Sequence, residues 1–309
     1  MKKITLIFLC LLLLTGCAGR ANAPKTQGTY TFTDDLGRSI SLDAPERVAA
    51  LTGSFADIWC LAGGKDTLAA AAGDAWTGFD LGLSEDVADL GAIKQPNLER
   101  LIAAEPDLIL ASSNTAAQLD LLPTLEGAGL TVAYFNVTNF DEYRNMLAVC
   151  TRLTGDENAY QTYGTALEEQ IAAARARADG SGPTVLYIRA TGTSCKVKNS
   201  RDSVLGEMLF DLGCVNIADS REMLLEQLSL EAIVQADPEY IFAVLQGADS
   251  TKAQKTLEQT LLSNPAWQSL TAVREGRFFV LEHELYNLKP NAKWGEAYEK
   301  LADILYPAA

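Results

Sequence analysis

Leu98-Glu99-Arg100-Leu101-Ile102-Ala103-Ala104-Glu105-Pro106-Asp107-Leu108-Ile109-Leu110-Ala111 and Leu230-Glu231-Ala232-Ile233-Val234-Gln235-Ala236-Asp237-Pro238-Glu239-Tyr240-Ile241-Phe242-Ala243 are two versions of one phrase. The first Leu, the Glu, the second Ala of the helix, the Pro, the Ile and the last Ala coincide. Most other positions match in character. Each version reads as a helix, a proline stop, an acid and a buried strand. The stop follows from sterics, because the residue before a proline avoids the right-handed helical region. One phrase in each half of a 309-residue chain points to two similar units.

Outward from the phrase, short apolar runs alternate with helical patterns. In the first half, strands are expected over 48–51, 108–111 and 131–135, and helices over 55–62, 116–127 and 140–153. In the second half, strands are expected over 184–189, 240–244 and 278–281. Helices are expected there over 204–212, 230–236 and 293–305. Strands alternating with helices predict α/β units with mainly parallel sheets. Between the halves, residues 156–178 read as one long helix. Asp156 is its cap, Ala159, Tyr163, Leu167 and Ile171 its apolar stripe, and Gly180 its stop. Such a helix would be about 34 Å long. The expected architecture is therefore α/β. Two Rossmann-like lobes, 29–155 and 181–309, are joined by the single long helix at 156–180, with a ligand cleft between them. A hairpin is expected at 30–42 around the Asp34-Asp35-Leu36-Gly37 turn.

Residues 1–16 have the parts of a signal peptide: Lys2 and Lys3, then an apolar run from Ile4 to Leu14 that is too short to span a bilayer. Leu14-Thr15-Gly16-Cys17 resembles a bacterial lipobox. That resemblance implies cleavage before Cys17, a lipid on its sulfur and attachment to the extracytoplasmic face of the cell membrane. Residues 17–28 are small and polar and read as a flexible tether. Cys60, Cys150, Cys195 and Cys214 have no CxxC spacing, so a structural zinc site is not expected, and buried free thiols are. The net charge of −15 disfavours a nucleic-acid partner, which needs a basic face. It suits docking onto a basic protein.

Several phrases carry a family resemblance. Thr33-Asp34-Asp35-Leu36-Gly37-Arg38 is followed by Ala44-Pro45-Glu46-Arg47-Val48. Pro96-Asn97-Leu98-Glu99-Arg100-Leu101 leads into Glu105-Pro106-Asp107-Leu108-Ile109. Leu212-Gly213, Asn216-Ile217, Asn264-Pro265-Ala266-Trp267 and Ala272-Val273-Arg274-Glu275-Gly276-Arg277 come later. In order and spacing they resemble the solute-binding proteins of ABC importers for ferric siderophores, haem and cobalamin. The resemblance covers nearly the whole chain from about residue 30 and implies a monomer with modest hinge motion, served by a permease and an ATPase. It also implies that Glu99 and Glu231 are the permease-docking acids. Each is near a helix start, where the dipole favours an acid, and each can accept a bidentate arginine.

Ligands of open α/β sheets bind beyond the carboxyl ends of the strands. That singles out Thr52, Ser54 and Phe55 after the first strand and Asp74 and Trp76 after the second. In the second half Tyr187, Arg189, Lys196, Lys198 and Arg201 form a basic island, and Tyr286, Lys289, Asn291 and Trp294 add cations and aromatics near the C-terminus. Cations among aromatics suit a large anionic chelate such as a ferric catecholate or citrate complex, or haem propionates. The sole histidine, His283, could face the metal of a haem or corrin. A lone histidine is more often structural, and no metal site or cofactor is assigned. With no G-x-S-x-G elbow and no P-loop, an enzyme is not expected. The readings to be separated are a ferric-chelate receptor, a haem or cobalamin receptor for the same kind of importer, and a scavenging surface lipoprotein without a permease.

Overall fold

The computed structural model describes residues 28–201, 203–226, 228–247 and 250–307. The leader, Cys17 and the tether as far as residue 27 lie outside the described residues. β1 (Tyr30–Thr33) and β2 (Ser39–Leu42) form the antiparallel hairpin. Asp34 closes its turn. It accepts the Leu36 and Arg38 amides and pairs with the Arg38 guanidinium at 2.6 Å.

The first lobe is built on β3 (Val48–Ala50), β4 (Leu68–Ala71), β5 (Ala88–Asp89), β8 (Leu108–Ser112) and β9 (Val132–Phe135). Their order is β5-β4-β3-β8-β9 and every pairing is parallel. A two-stranded ribbon, β6 (Gly91–Ala92) with β7 (Gln95–Pro96), stands outside that sheet. The second lobe is built on β10 (Thr184–Ala190), β11 (Cys195–Lys198), β12 (Val215–Asn216), β13 (Tyr240–Leu245) and β14 (Phe278–Leu281). Its order is β11-β10-β13-β14, with β12 paired to the start of β10. Only β11 is antiparallel, the return arm of a hairpin with β10 that the sequence reading did not foresee.

The two versions of the repeated phrase fold alike. Their helices are Leu98–Ala103, capped by Asn97, and Leu230–Ala236, capped by Ser229. The residue before each proline takes a left-handed conformation, Glu105 at φ 45° and Asp237 at φ 41°. The acid after each proline then clamps the start of the adjoining parallel strand. Asp107 accepts the amides of Glu46 and Arg47 at 2.8 and 2.9 Å, at the entry to β3. Glu239 accepts the Thr184 amide at 2.8 Å, where β10 begins.

Between the lobes, helical turns run from Glu157 to Arg175, with one wide turn at Gln161–Thr165, for about 29 Å. Helix Phe140–Thr154 precedes them. It opens with a capping box between Asn139 and Glu142 and stops at Gly155, φ 77°. The expected single helix at 116–127 is two short ones, Ala116–Leu119 and Leu122–Gly127, broken at Asp120-Leu121.

One core runs through both lobes. Phe140, Tyr143 and Leu147 of the first lobe and Leu167 and Ile171 of the connecting helix pack with Tyr187, Phe242, Trp294 and Tyr298 of the second. The Trp294 ring lies 6.1 Å from Phe140, 6.3 Å from Tyr143 and 6.4 Å from Tyr298. Each sheet buries its other face separately, one under Leu101 and Leu125, the other under Ile233, Trp267 and Leu270. The four cysteines of the described residues are unpaired. Cys60 is half-buried and the other three are buried. Burial pushes the Cys60 thiol up to about 11 and Cys214 up to about 12, so neither is an activated nucleophile. No helix among the described residues is long and apolar enough to cross a membrane.

Candidate functional site

The first wall of the site forms where β3 and β4 end. Thr52 caps helix Gly53–Trp59, its hydroxyl accepting the Phe55 amide at 3.3 Å. The Gly53 amide donates to Asp74 Oδ1 at 2.8 Å, which ties the loop after β3 to the loop after β4. Only glycine fits there, because a Cβ on Gly53 would stand 2.6 Å from the Ala75 nitrogen. Ser54 and Phe55 are buried in this corner, and the Phe55 ring meets Phe135 edge-on at 6.4 Å. Trp76 is 41% exposed on the turn that follows. Beyond β8 and β9, Asn114 donates to Asn136, and Asn136 donates to Glu142. The sequence reading passed over this amide chain, although the same rule about carboxyl strand ends covers it.

A segment of the second half lies across that wall. Leu288 stands against Gly78, where a Cβ would come within 3.3 Å of its Cδ1. Asn291 is fully buried in a left-handed conformation, φ 51°. Its amide donates to the Ser54 carbonyl at 2.9 Å and to Asp57 Oδ2 at 2.8 Å. Between them Lys289 places its ammonium 5.7 Å from the Phe55 ring centroid. Lys289 keeps partial contact with solvent, but enough protein surrounds it that desolvation pulls its ammonium below the ordinary lysine value, with the Asp74 and Glu142 carboxylates opposing. Burial raises the Asp74 carboxyl in turn, against the hydrogen bond from Gly53.

A second candidate surface is a sheet face. In the β10–β11 hairpin Tyr187 is opposite Lys198 and Arg189 opposite Lys196, so alternation puts all four on one side. The Arg189 guanidinium donates to the Tyr187 hydroxyl at 3.1 and 3.3 Å, and the Tyr187 ring is buried beneath it. Arg201 does not join them. It pairs with Glu207 at 3.2 Å and lies 4.1 Å over the Phe210 ring. Tyr286 and Trp294 are fully buried, and Tyr286 donates its hydroxyl to the Ala297 carbonyl at 3.0 Å. Both belong to the core. His283 bonds the Leu245 carbonyl through Nδ1 at 2.8 Å, at the carboxyl end of β13. The described residues hold no group of three or more His, Cys, Asp or Glu arranged to bind a metal.

Other surfaces lie elsewhere. A 420 Å³ depression lined by Arg47, Lys65, Asp66 and Asp86 is at the amino ends of β3 and β4, away from these loops. Glu99 and Glu231 are exposed in the first turns of their helices, one per lobe.

Two mainly parallel sheets are joined through a helix, with polar loops and cations at their carboxyl ends, the architecture of a two-lobed α/β protein. The family model for periplasmic binding proteins matches residues 48–285, and the chain belongs to that family. The iron-uptake system-binding protein of Bacillus subtilis is 25% identical, across 97% of this chain and 96% of the relative. A cobalamin-binding protein of Halobacterium salinarum is 26% identical, across 87% and 73%. Among solved structures, Staphylococcus aureus SirA complexed with staphyloferrin B superposes with a TM-score of 0.69 at 20% identity, covering 90% of this chain and 97% of that one.

Proposed function

We propose that this protein captures a ferric siderophore or related iron chelate outside the cytoplasm and passes it to an ABC importer. The observation that carries this reading is the cationic sheet face of Arg189, Lys196 and Lys198 in a chain of net charge −15. A cation cluster on one sheet face of so acidic a body is matched by an anionic ligand. The iron-uptake relative, similar over nearly its full length, supports iron as the cargo. Glu99 and Glu231 would dock the permease, and a lipid on Cys17 would hold the body at the membrane, as a monomer. The lobes would be 29–155 and 181–309, with 156–180 between them.

The test is titration of the mature protein with ferric catecholate, ferric hydroxamate, ferric citrate, haem and cobalamin, followed by tryptophan fluorescence. Trp76, exposed beside Asp74, is the expected reporter. Submicromolar binding of one iron chelate is expected, weakened about tenfold or more by Arg189→Ala, since a charge-assisted hydrogen bond is lost. Tight binding of cobalamin alone would replace the iron reading. In parallel, Cys17→Ser should move the protein out of the membrane fraction; unchanged fractionation would remove the anchor from the proposal.

A further inference from the structure

We infer that Asn291 is a positioning residue for the ligand corner of the first lobe: from the second half of the chain it sets where Ser54 and Phe55 stand, and through them the affinity for ligand. This rests on the receptor function proposed above and says how the second lobe governs that same site.

Asn291 is fully buried, so its side chain does not reach a solute. Its backbone is held at φ 51°, a left-handed conformation that asparagine tolerates better than most residues. Its amide nitrogen carries two hydrogens, and its bonds go to helix Gly53–Trp59. It donates to the Ser54 carbonyl at 2.9 Å and to the Asp57 carboxylate at 2.8 Å. The second bond is charge-assisted. Three residues earlier, Leu288 stands against Gly78, which closes the turn that carries Trp76. The strap 288–291 therefore touches both loops of the corner, one after β3 and one after β4, which the Gly53 amide and Asp74 already join.

Both ends of the strap are fixed to the second lobe. Before it, His283 is bonded to the Leu245 carbonyl of β13. After it, Tyr298 donates its hydroxyl to Asp211 at 2.8 Å and Tyr306 donates to the Leu212 carbonyl at 2.6 Å, at the end of helix Val204–Asp211. The chain leaves the second lobe, grips the corner of the first and returns. A shift of one lobe against the other is passed through Asn291 to Ser54 and Phe55. A binding constellation loses its contacts when its supports let it drift by more than about 0.5 Å.

The experiment compares wild type, Asn291→Asp, the exchange of Asn291→Asp with Asp57→Asn, and Tyr286→Phe. Asn291→Asp keeps the size and the left-handed backbone but sets a carboxylate against Asp57 and the Ser54 carbonyl. The exchange returns a donor to the pair, now from position 57. Tyr286→Phe removes a bond to the Ala297 carbonyl that stays within the second half, and controls for lost stability. Each protein is titrated with ferric catecholate, ferric hydroxamate, ferric citrate, haem and cobalamin, and its melting temperature is measured. Acrylamide quenching of the unliganded proteins reads the corner directly, because Trp76 is exposed while Trp59, Trp267 and Trp294 are buried. For the compound that wild type binds tightest, Asn291→Asp should raise Kd about tenfold or more and change the quenching. The exchange should bring Kd back to within about threefold of wild type. Tyr286→Phe should lower the melting temperature and leave Kd within about twofold. Wild-type Kd and quenching in Asn291→Asp would overturn the inference. So would equal weakening by Asn291→Asp and Tyr286→Phe at an equal loss of melting temperature, which would leave Asn291 a structural role only. If wild type binds none of the five compounds, the receptor function fails separately and the quenching decides for Asn291. A signal changed by Asn291→Asp and restored by the exchange keeps it as the residue that sets the corner, and an unchanged signal removes it.

Discussion

At the scale of single residues, the aromatics near the C-terminus show what a sequence hides. Tyr286 and Trp294 stand beside Lys289 in the chain, and cations with aromatics read naturally as a ligand surface. The fold separates them. Lys289 stays at the corner of the cleft, while Trp294 is driven between Phe140, Tyr143 and Tyr298. A large aromatic next to an amphipathic helix has more to gain from burial than from contact with a solute. Trp294→Ala should accordingly destabilise the protein by about 3–5 kcal/mol. Denaturant unfolding measures this, and loss of ligand affinity at unchanged stability would return Trp294 to the binding surface. In the sequence Asn291 reads only as a polar neighbour of Lys289. Its role as a fastener depends on a left-handed backbone and on Ser54 and Asp57, which are more than 200 positions away. No local pattern carries that information.

At the scale of elements, the repeated phrase was legible because its signals are local. The caps Asn97 and Ser229, the proline stops and the apolar strands each act within a few residues. What the sequence did not reveal is that Asp107 and Glu239 both reach back to fasten the neighbouring strand. Strand β11 was missed for a related reason. Cys195-Lys196-Val197-Lys198 alternates with a period of two, but its outward residues are lysines, so it reads as polar loop until β10 is placed beside it. The same alternation sets the cations on one face, so the missed strand is also the missed logic of the basic island. Arg201, three residues past β11, had no such constraint and turned toward Glu207. The two repeat helices also present their acids equivalently, one per lobe. Glu99→Ala combined with Glu231→Ala should abolish ligand uptake by cells and leave the dissociation constant in solution unchanged. Full uptake by the double variant would remove the docking role.

At the scale of the whole molecule, the alternation of strands and helices was enough to anticipate two lobes, but it could not show how they are joined. The expectation was a helix acting as a rod between separate bodies. In the structure the rod is flanked by helix Phe140–Thr154 on one side and Trp294–Leu305 on the other, and their apolar faces merge into one core. Arg177 adds a bridge from the end of the rod to Asp303, and Tyr306 donates its hydroxyl to the Leu212 carbonyl. Contacts between elements far apart in sequence are the part of a fold that periodicity does not encode.

That merged core has a thermodynamic consequence. Lobes linked by a bare rod would melt one after the other, each with its own heat. Lobes that share Trp294, Tyr143 and Ile171 cannot lose one sheet without exposing the seam to water, and so they unfold together. Differential scanning calorimetry of the unliganded protein should record a single endotherm whose calorimetric and van't Hoff enthalpies agree, whereas two resolved peaks would mean that the seam does not couple the lobes. A ligand seated in the cleft then protects both halves at once, because its binding free energy is added to one transition and not divided between two.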